Sequence, residues 1–200
     1  MTLDALRPLA ERMLAPFVSV ANAVGLTPNA VSVLAMGFAI AAGGAFAIGE
    51  SLAYVLGALF VLANGWLDLV DGALAREQET ASPAGDLLDH VLDRYADIVI
   101  VAGLAAGVDA YALGFAAVTG VLMTSYLGTQ IQAVGLGREY GGLLGRADRL
   151  ALIGIVGVVA AVFANPIVIG LGVVELLLLL FAVVGHLTAL QRFWGAWSDI

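Results

Sequence analysis

The sequence predicts an all-α integral membrane protein, six transmembrane helices preceded by an N-terminal amphipathic interfacial helix. Three observations carry this expectation. Of 200 residues, 62% are hydrophobic, and the mean hydropathy is +1.01. A soluble domain of this length cannot bury so much apolar surface. Six apolar windows recur along the chain, most of them near the ~20 residues that a helix needs to cross a hydrocarbon core. The eight basic residues are all arginine, and those outside the windows fall only in alternate connections.

Residues 3–24 mix charged and polar side chains with apolar ones at helical spacing, as expected of a helix lying in the membrane interface. This stretch lacks the basic-then-apolar order of a cleaved signal and is expected to belong to the mature protein. Gly25-Leu26-Thr27-Pro28-Asn29 turns the chain inward, with Pro28 tolerated in a first helical turn. Spans are predicted at 28–48, 52–73, 85–106, 110–134, 147–163 and 166–190. Short turns at 49–51, 107–109 and 165–166 alternate with two longer polar loops.

Arg7 and Arg12 precede the first span, Arg76 follows the second, and Arg192 follows the sixth. Arg138, Arg146 and Arg149 lie at the loop after the fourth. The three opposite turns hold no arginine, so the positive-inside rule places both termini in the cytoplasm, in a multi-pass protein of the cell membrane. One domain is expected over 1–200: interfacial helix and turn 1–26, six-helix bundle 27–192, tail 193–200. The absence of cysteine removes disulfides, thiolate metal sites and cysteine nucleophiles together.

The net charge of −8 is mainly local. Six of the sixteen acids (Asp68, Asp71, Asp86, Asp89, Asp93, Asp97) fall inside one short stretch, and setting them aside leaves ten acids against eight bases. The charge therefore marks a site rather than a surface, and no basic nucleic-acid footprint is present. At 100° per residue, Asp68, Asp71, Gly72 and Ala75 share one helix face, and Asp86, Asp89, Asp93 and Asp97 form a second stripe about 80° wide. One set ends the second span and the other begins the third, so both meet on the cytoplasmic side.

Each carboxylate at membrane depth costs roughly 2.5–3.5 kcal/mol, and facing clusters repel unless cations lie between them. Oxygen-only donors suit Mg²⁺ or Mn²⁺, and paired ions in phosphoryl-transfer sites sit about 3.5–4 Å apart. Gly72, Ala75 and Gly85 leave room for a ligand near the backbone, and Arg76 can meet phosphate.

The pattern D-x2-D-G-x2-A-R-x8-G-x3-D-x3-D is met at Asp68, Asp71, Gly72, Ala75, Arg76, Gly85, Asp89 and Asp93. It resembles the signature of the CDP-alcohol phosphotransferases. The resemblance extends to Leu26-Thr27-Pro28-Asn29, the six spans and Arg192, and so covers nearly the whole chain. It implies a six-helix bundle, usually a homodimer, whose active site opens to cytoplasm and membrane. It further implies Asp68, Asp71, Asp89 and Asp93 as ligands of two divalent ions, with Asp93 also the general base. Asn29, Ser32, Gly72, Ala75, Arg76, Ser82 and Gly85 are expected around the CDP-lipid, and Arg146, Arg149 and Arg192 around the acceptor.

Ser125-Tyr126, Gly141-Gly142-Leu143, Gly145 to Arg149 and Gln191-Arg192 are similar to inositol-phosphate-using members and their archaeal ether-lipid counterparts. Those enzymes carry basic residues shortly after the Ser-Tyr pair, where this chain has Gly128, Thr129 and Gln130. The expected acceptor is a polyol phosphate, inositol phosphate first and glycerol phosphate second. The donor is CDP-diacylglycerol, or CDP-archaeol if the lysine-free, alanine- and glycine-rich composition reflects an archaeal source. A membrane prenyltransferase would not need Gly72, Ala75 and Arg76 at these places, and a transporter with intramembrane aspartates would not need the fixed spacing.

Other polar residues have plainer expectations. Asp97 pairs with Arg94 or supports the site from behind, His90 and His186 are packed or hydrogen-bonded, and Arg138 is loop charge. Trp66, Trp194 and Trp197 are expected as interfacial anchors. Gly103-x3-Gly107 has the spacing of a helix-contact motif, but among 25 glycines it carries little weight.

Overall fold

A computed structural model describes residues 7–137, 144–163, 165–168 and 170–199, with side chains from residue 12 onward. Among these residues the elements are α1 (Arg7–Ala23), α2 (Pro28–Ile48), α3 (Ser51–Glu77), α4 (Pro83–Gly107), α5 (Tyr111–Ala133), α6 (Arg146–Val162) and α7 (Val173–Ser198). Arg138 and Gly141-Gly142-Leu143 lie outside the described residues, as does the beginning of the expected interfacial helix.

Local chemistry sets the boundaries. The Thr27 hydroxyl accepts from the Ala30 amide at 3.3 Å, and Pro28 follows in the first turn of α2. Ser82 repeats the device for α4, accepting from the Gly85 amide at 3.2 Å, with Pro83 next. Asp148 and Glu175 accept from the Gly145 and Gly172 amides, at 3.0 and 3.1 Å, and so close the first turns of α6 and α7. Gly49 ends α2 at φ +75°, a left-handed conformation that glycine adopts without a Cβ clash. The last helix starts at Val173 rather than 166, because Pro166, Gly170 and Gly172 interrupt the expected span. It then continues to Ser198, so Arg192 stands within a helix and the expected tail is helical for most of its length.

The helices close a ring. α2 packs on α3 and α4, α4 on α5, α5 on α7, α7 on α6, and α6 back on α3, while α1 docks outside against α3. A Cβ at Gly103 would collide with the Gly43 carbonyl, and one at Gly107 with the Phe46 carbonyl. The Gly103-x3-Gly107 pair is therefore the place where α2 and α4 backbones touch, a helix contact to which spacing alone gives little weight. Close approach through small residues is how helices associate where lipid supplies no hydrophobic drive. Gly120 and Gly185 do the same between α5 and α7, next to a 2.8 Å hydrogen bond from Thr124 to the Gly185 carbonyl.

Four helices, α2, α3, α5 and α7, are long and apolar enough to cross a membrane. α4 carries Asp93, Arg94 and Asp97 in its apolar stretch. α6 has 17 residues, about 25 Å of helix at 1.5 Å per residue. Outward faces carry exposed Leu52, Leu62, Phe115, Ile155 and Val183, a surface suited to hydrocarbon. Leu14, Val18 and Ala21 of α1 are buried with Val31, Val70 and Leu74. Trp66 is a correction: it is half-buried beneath α1, its ring 5.2 Å from Phe17 in an edge-on contact, rather than standing out as an anchor. Trp194 and Trp197 are exposed, as anchors would be.

Candidate active site

The last turns of α3 and first turns of α4 bring the two acidic stripes together beside the start of α2. Carboxylate oxygens of Asp68, Asp71 and Asp89 all lie within 4.8 Å of one another. Asp71 is buried, and the Ser32 hydroxyl of α2 donates to its Oδ2 at 2.7 Å. That bond fixes one lone pair of Asp71 and leaves its other oxygen for the cluster. Three mutually close carboxylates with only oxygen donors form a site for a hard divalent cation. Asp93 stands at the edge of the trio and shares a small cavity with all three.

Arg146, the first residue of α6, reaches across this group. Its guanidinium donates to Asp68 at 2.9 Å and to Asp93 at 2.7 Å. Behind it, Asp97 is the hub of a buried charge network. Arg149 meets it at 3.0 Å, Arg146 at 3.8 Å and Arg94 at 4.0 Å. Asp97 thus engages Arg94, as expected, but its shortest partner comes from α6. Arg94 also meets Asp93 at 3.5 Å. His90 lies 3.7 Å from Asp89, and His186 lies within hydrogen-bonding distance of Thr119 and the Ala116 carbonyl.

An open cleft of about 360 Å³ adjoins the trio. Its lining includes Asn29, Ser32, Gly72, Ala75, Arg76, Ser82 and Gly85, all seven residues expected around the CDP-lipid. Asp71 and Asp89 also line it, so the cleft opens onto the carboxylates. A Cβ at Gly85 would sit 3.4 Å from both the Asn29 amide oxygen and the Ser82 hydroxyl, in the space between α2 and α4.

Residues 25–197 match the family described as CDP-alcohol phosphatidyltransferase. The chain belongs to this family. It is 28% identical to the archaetidylinositol phosphate synthase of Methanothermobacter thermautotrophicus, over 99% of this chain and 95% of that one. It is 36% identical to the phosphatidylinositol phosphate synthase of Mycolicibacterium smegmatis, over 69% of this chain and 64% of that one. The fold matches the Mycobacterium tuberculosis phosphatidylinositol phosphate synthase PgsA1 with CDP-DAG bound, at TM-score 0.79 and 25% identity, covering 93% and 94% of the two chains. The same relative in complex with manganese and citrate also gives 0.79 and 25%, with coverage of 92% and 88%.

As a CDP-alcohol phosphatidyltransferase the protein is a phosphotransferase enzyme of phospholipid biosynthesis. Its aspartate cluster and the manganese-bound relative fit the use of a divalent metal. The arginines expected at the acceptor are differently placed from one another. Arg146 lies on the clustered carboxylates, Arg149 is buried against Asp97, and Arg192 donates to the Thr124 carbonyl at 2.5 Å. Sequence reasoning missed two couplings, Ser32 to Asp71 and Arg146 to the aspartates. A periodicity argument reads faces within one helix, and both pairs join separate helices.

Proposed function

We infer that the protein transfers a phosphatidyl or archaetidyl group from CDP-diacylglycerol or CDP-archaeol to a hydroxyl of a polyol phosphate, inositol phosphate first, releasing CMP. The observation that carries this reading is the carboxylate cluster as a shared wall. Asp71 and Asp89 line the cleft with its CDP-lipid candidates, and Asp68 and Asp93 meet Arg146. The synthases named for inositol phosphate among the relatives support the acceptor.

Asn29, Arg76 and Ser82 hold the cytidine and pyrophosphate, while Gly72, Ala75 and Gly85 keep the cleft open to them. Asp68, Asp71, Asp89 and Asp93 hold two Mg²⁺ or Mn²⁺ ions, which when bound supply charge neutralisation at the pyrophosphate and the departing phosphate. Asp93 takes the proton of the acceptor hydroxyl. That oxygen bonds to the phosphorus nearest the lipid as the bond from this phosphorus to CMP breaks, and CMP leaves with the electron pair. Arg146, Arg149 and Arg192 flank the acceptor side, where guanidinium forks suit a phosphate dianion.

In this reading α2 to α7 all cross the bilayer, in a homodimer of the cell membrane whose active site faces the cytoplasm. The carboxylates of α4 are tolerated at that depth because Arg94, Arg146 and Arg149 compensate them. The test is CMP release from CDP-lipid by purified protein offered inositol phosphate, glycerol phosphate or serine, with and without chelator. The expected result is metal-dependent release, fastest with inositol phosphate. Glycerol phosphate as preferred acceptor would keep the reaction and replace the substrate. Serine as preferred acceptor would overturn the phosphate-binding role of the arginines.

A further inference from the structure

Asn64 lies one turn before Asp68 on α3, on the same face as Asp68 and Asp71. It is 1% exposed, and its amide nitrogen donates to the Ala35 carbonyl of α2 at 2.9 Å. Only the NH₂ end can donate to a carbonyl, so that bond fixes the orientation of the amide. Its other end, Oδ1, is buried and has no hydrogen-bond partner among the described residues. Buried polar atoms left unpaired are uncommon and call for a partner.

Asn64 also lines the small cavity that Ser32, Asp68, Asp71, Asp89 and Asp93 share with Ala35, Met36, Leu92 and Ala96. The cavity holds about 10 Å³, close to the space that one water needs at about 10–15 Å³. Its polar lining is all oxygen apart from the bound amide nitrogen. The carboxylates can only accept when ionised, and the Ser32 hydroxyl proton already goes to Asp71. A group entering the cavity must therefore bring its own protons or positive charge.

We propose that Asn64 is a positioning residue of the metal site, its Oδ1 accepting a hydrogen bond from a water bound to the divalent ion. Mg²⁺ sheds its waters reluctantly and keeps several of them in protein sites. Beneath the Asp68–Asp71–Asp89 trio, Asn64 is a neutral acceptor for such a water that adds no further negative charge to the cluster. This extends the metal-ligand reading of the aspartates and rests on it.

The test is Mn²⁺ affinity, measured by electron paramagnetic resonance titration of the purified full chain in detergent, without substrates. Asn64→Leu and Asn64→Ala both lose the Ala35 bond and the acceptor. Asn64→Asp loses the Ala35 bond in its ionised form but keeps an acceptor toward the cavity. Losing a group that orients the metal shell typically weakens affinity by about 10- to 100-fold. The expected result is a loss of about tenfold or more in the leucine and alanine variants, against wild-type-like or tighter binding in the aspartate variant. Equal losses in all three would overturn the proposal and reduce Asn64 to an α2–α3 tie. So would unchanged affinity in whichever apolar variant keeps the helical circular-dichroism spectrum. Wild-type protein that fails to bind Mn²⁺ would instead overturn the metal site itself, separating the two failures.

Discussion

Arg149 and Asp97 form the most deeply buried ion pair among the described residues, 6% and 5% exposed and 3.0 Å apart. Removing one partner of such a pair costs about 3–5 kcal/mol, because the other charge stays buried and uncompensated. Arg149→Met deletes the charge and keeps most of the side-chain volume. Asp97 then retains Arg146 at 3.8 Å and Arg94 at 4.0 Å, which places the cost at the lower end, about 3 kcal/mol. Asp97→Leu is worse. It leaves Arg149 with the Leu144 carbonyl at 3.5 Å and Arg146 and Arg94 without their inner acid, for about 5 kcal/mol.

At about 2–4 °C per kcal/mol for a chain of this size, the expected losses are about 6–12 °C and about 10–20 °C in Tm. Replacing both at once should restore most of the loss, since a buried pair exchanged for apolar side chains is often near neutral. Thermal unfolding of the four proteins in one detergent, followed by circular dichroism, measures this. The reasoning fails if Arg149→Met melts within about 2 °C of wild type, or if the double variant melts no higher than the worse single one. An unchanged Tm combined with a raised acceptor KM would leave Arg149 its role toward the acceptor and remove the anchoring one.

Asp93→Asn should retain CDP-lipid binding while turnover collapses, since an amide cannot take the acceptor proton; near-normal turnover removes Asp93 from the base role. Gly85→Val should raise the CDP-lipid KM by about ten- to a hundredfold, the equivalent of about 1–3 kcal/mol of overpacking beside Asn29 and Ser82. An unchanged KM there, with acceptor KM altered instead, would move the cytidine out of the cleft. Single cysteines at Glu50, Asp109 and Asn165 should react with impermeant reagent only from the side opposite the termini. The native chain has no cysteine to interfere, and labelling of position 50 from the cytoplasm alone would overturn the topology.

What was legible in the sequence follows from what helix periodicity encodes. Asp68, Asp71, Gly72 and Ala75 sit within about two turns of α3, so their common face could be read directly. Ser82 caps α4 and Gly85 and Asp89 sit in its first two turns, with Asn29 and Ser32 at the start of α2, and the structure brings these five into one cleft. Arg146 could be grouped with the other loop arginines by counting charges, but not placed onto Asp68 and Asp93. That contact depends on α6 packing against α3 across the ring, 78 and 53 residues away in sequence. Gly103 and Gly107 were undervalued for a similar reason, since a glycine shows its purpose only when a carbonyl of another helix occupies the space of its Cβ.

The two helices that fall short as ordinary spans, α4 and α6, are also the two that supply the charges around Asp97. Asp93 and Asp97, which lower the hydropathy of α4, face arginines from the start of α6, so acids and bases of the two helices compensate each other. A charge in a span marks a break in the fold only when it lacks a partner. Here each break in the hydropathy pattern of one helix points to the matching break in the other. The two helices that fall short as spans are therefore the two whose charges meet beside the acidic cluster.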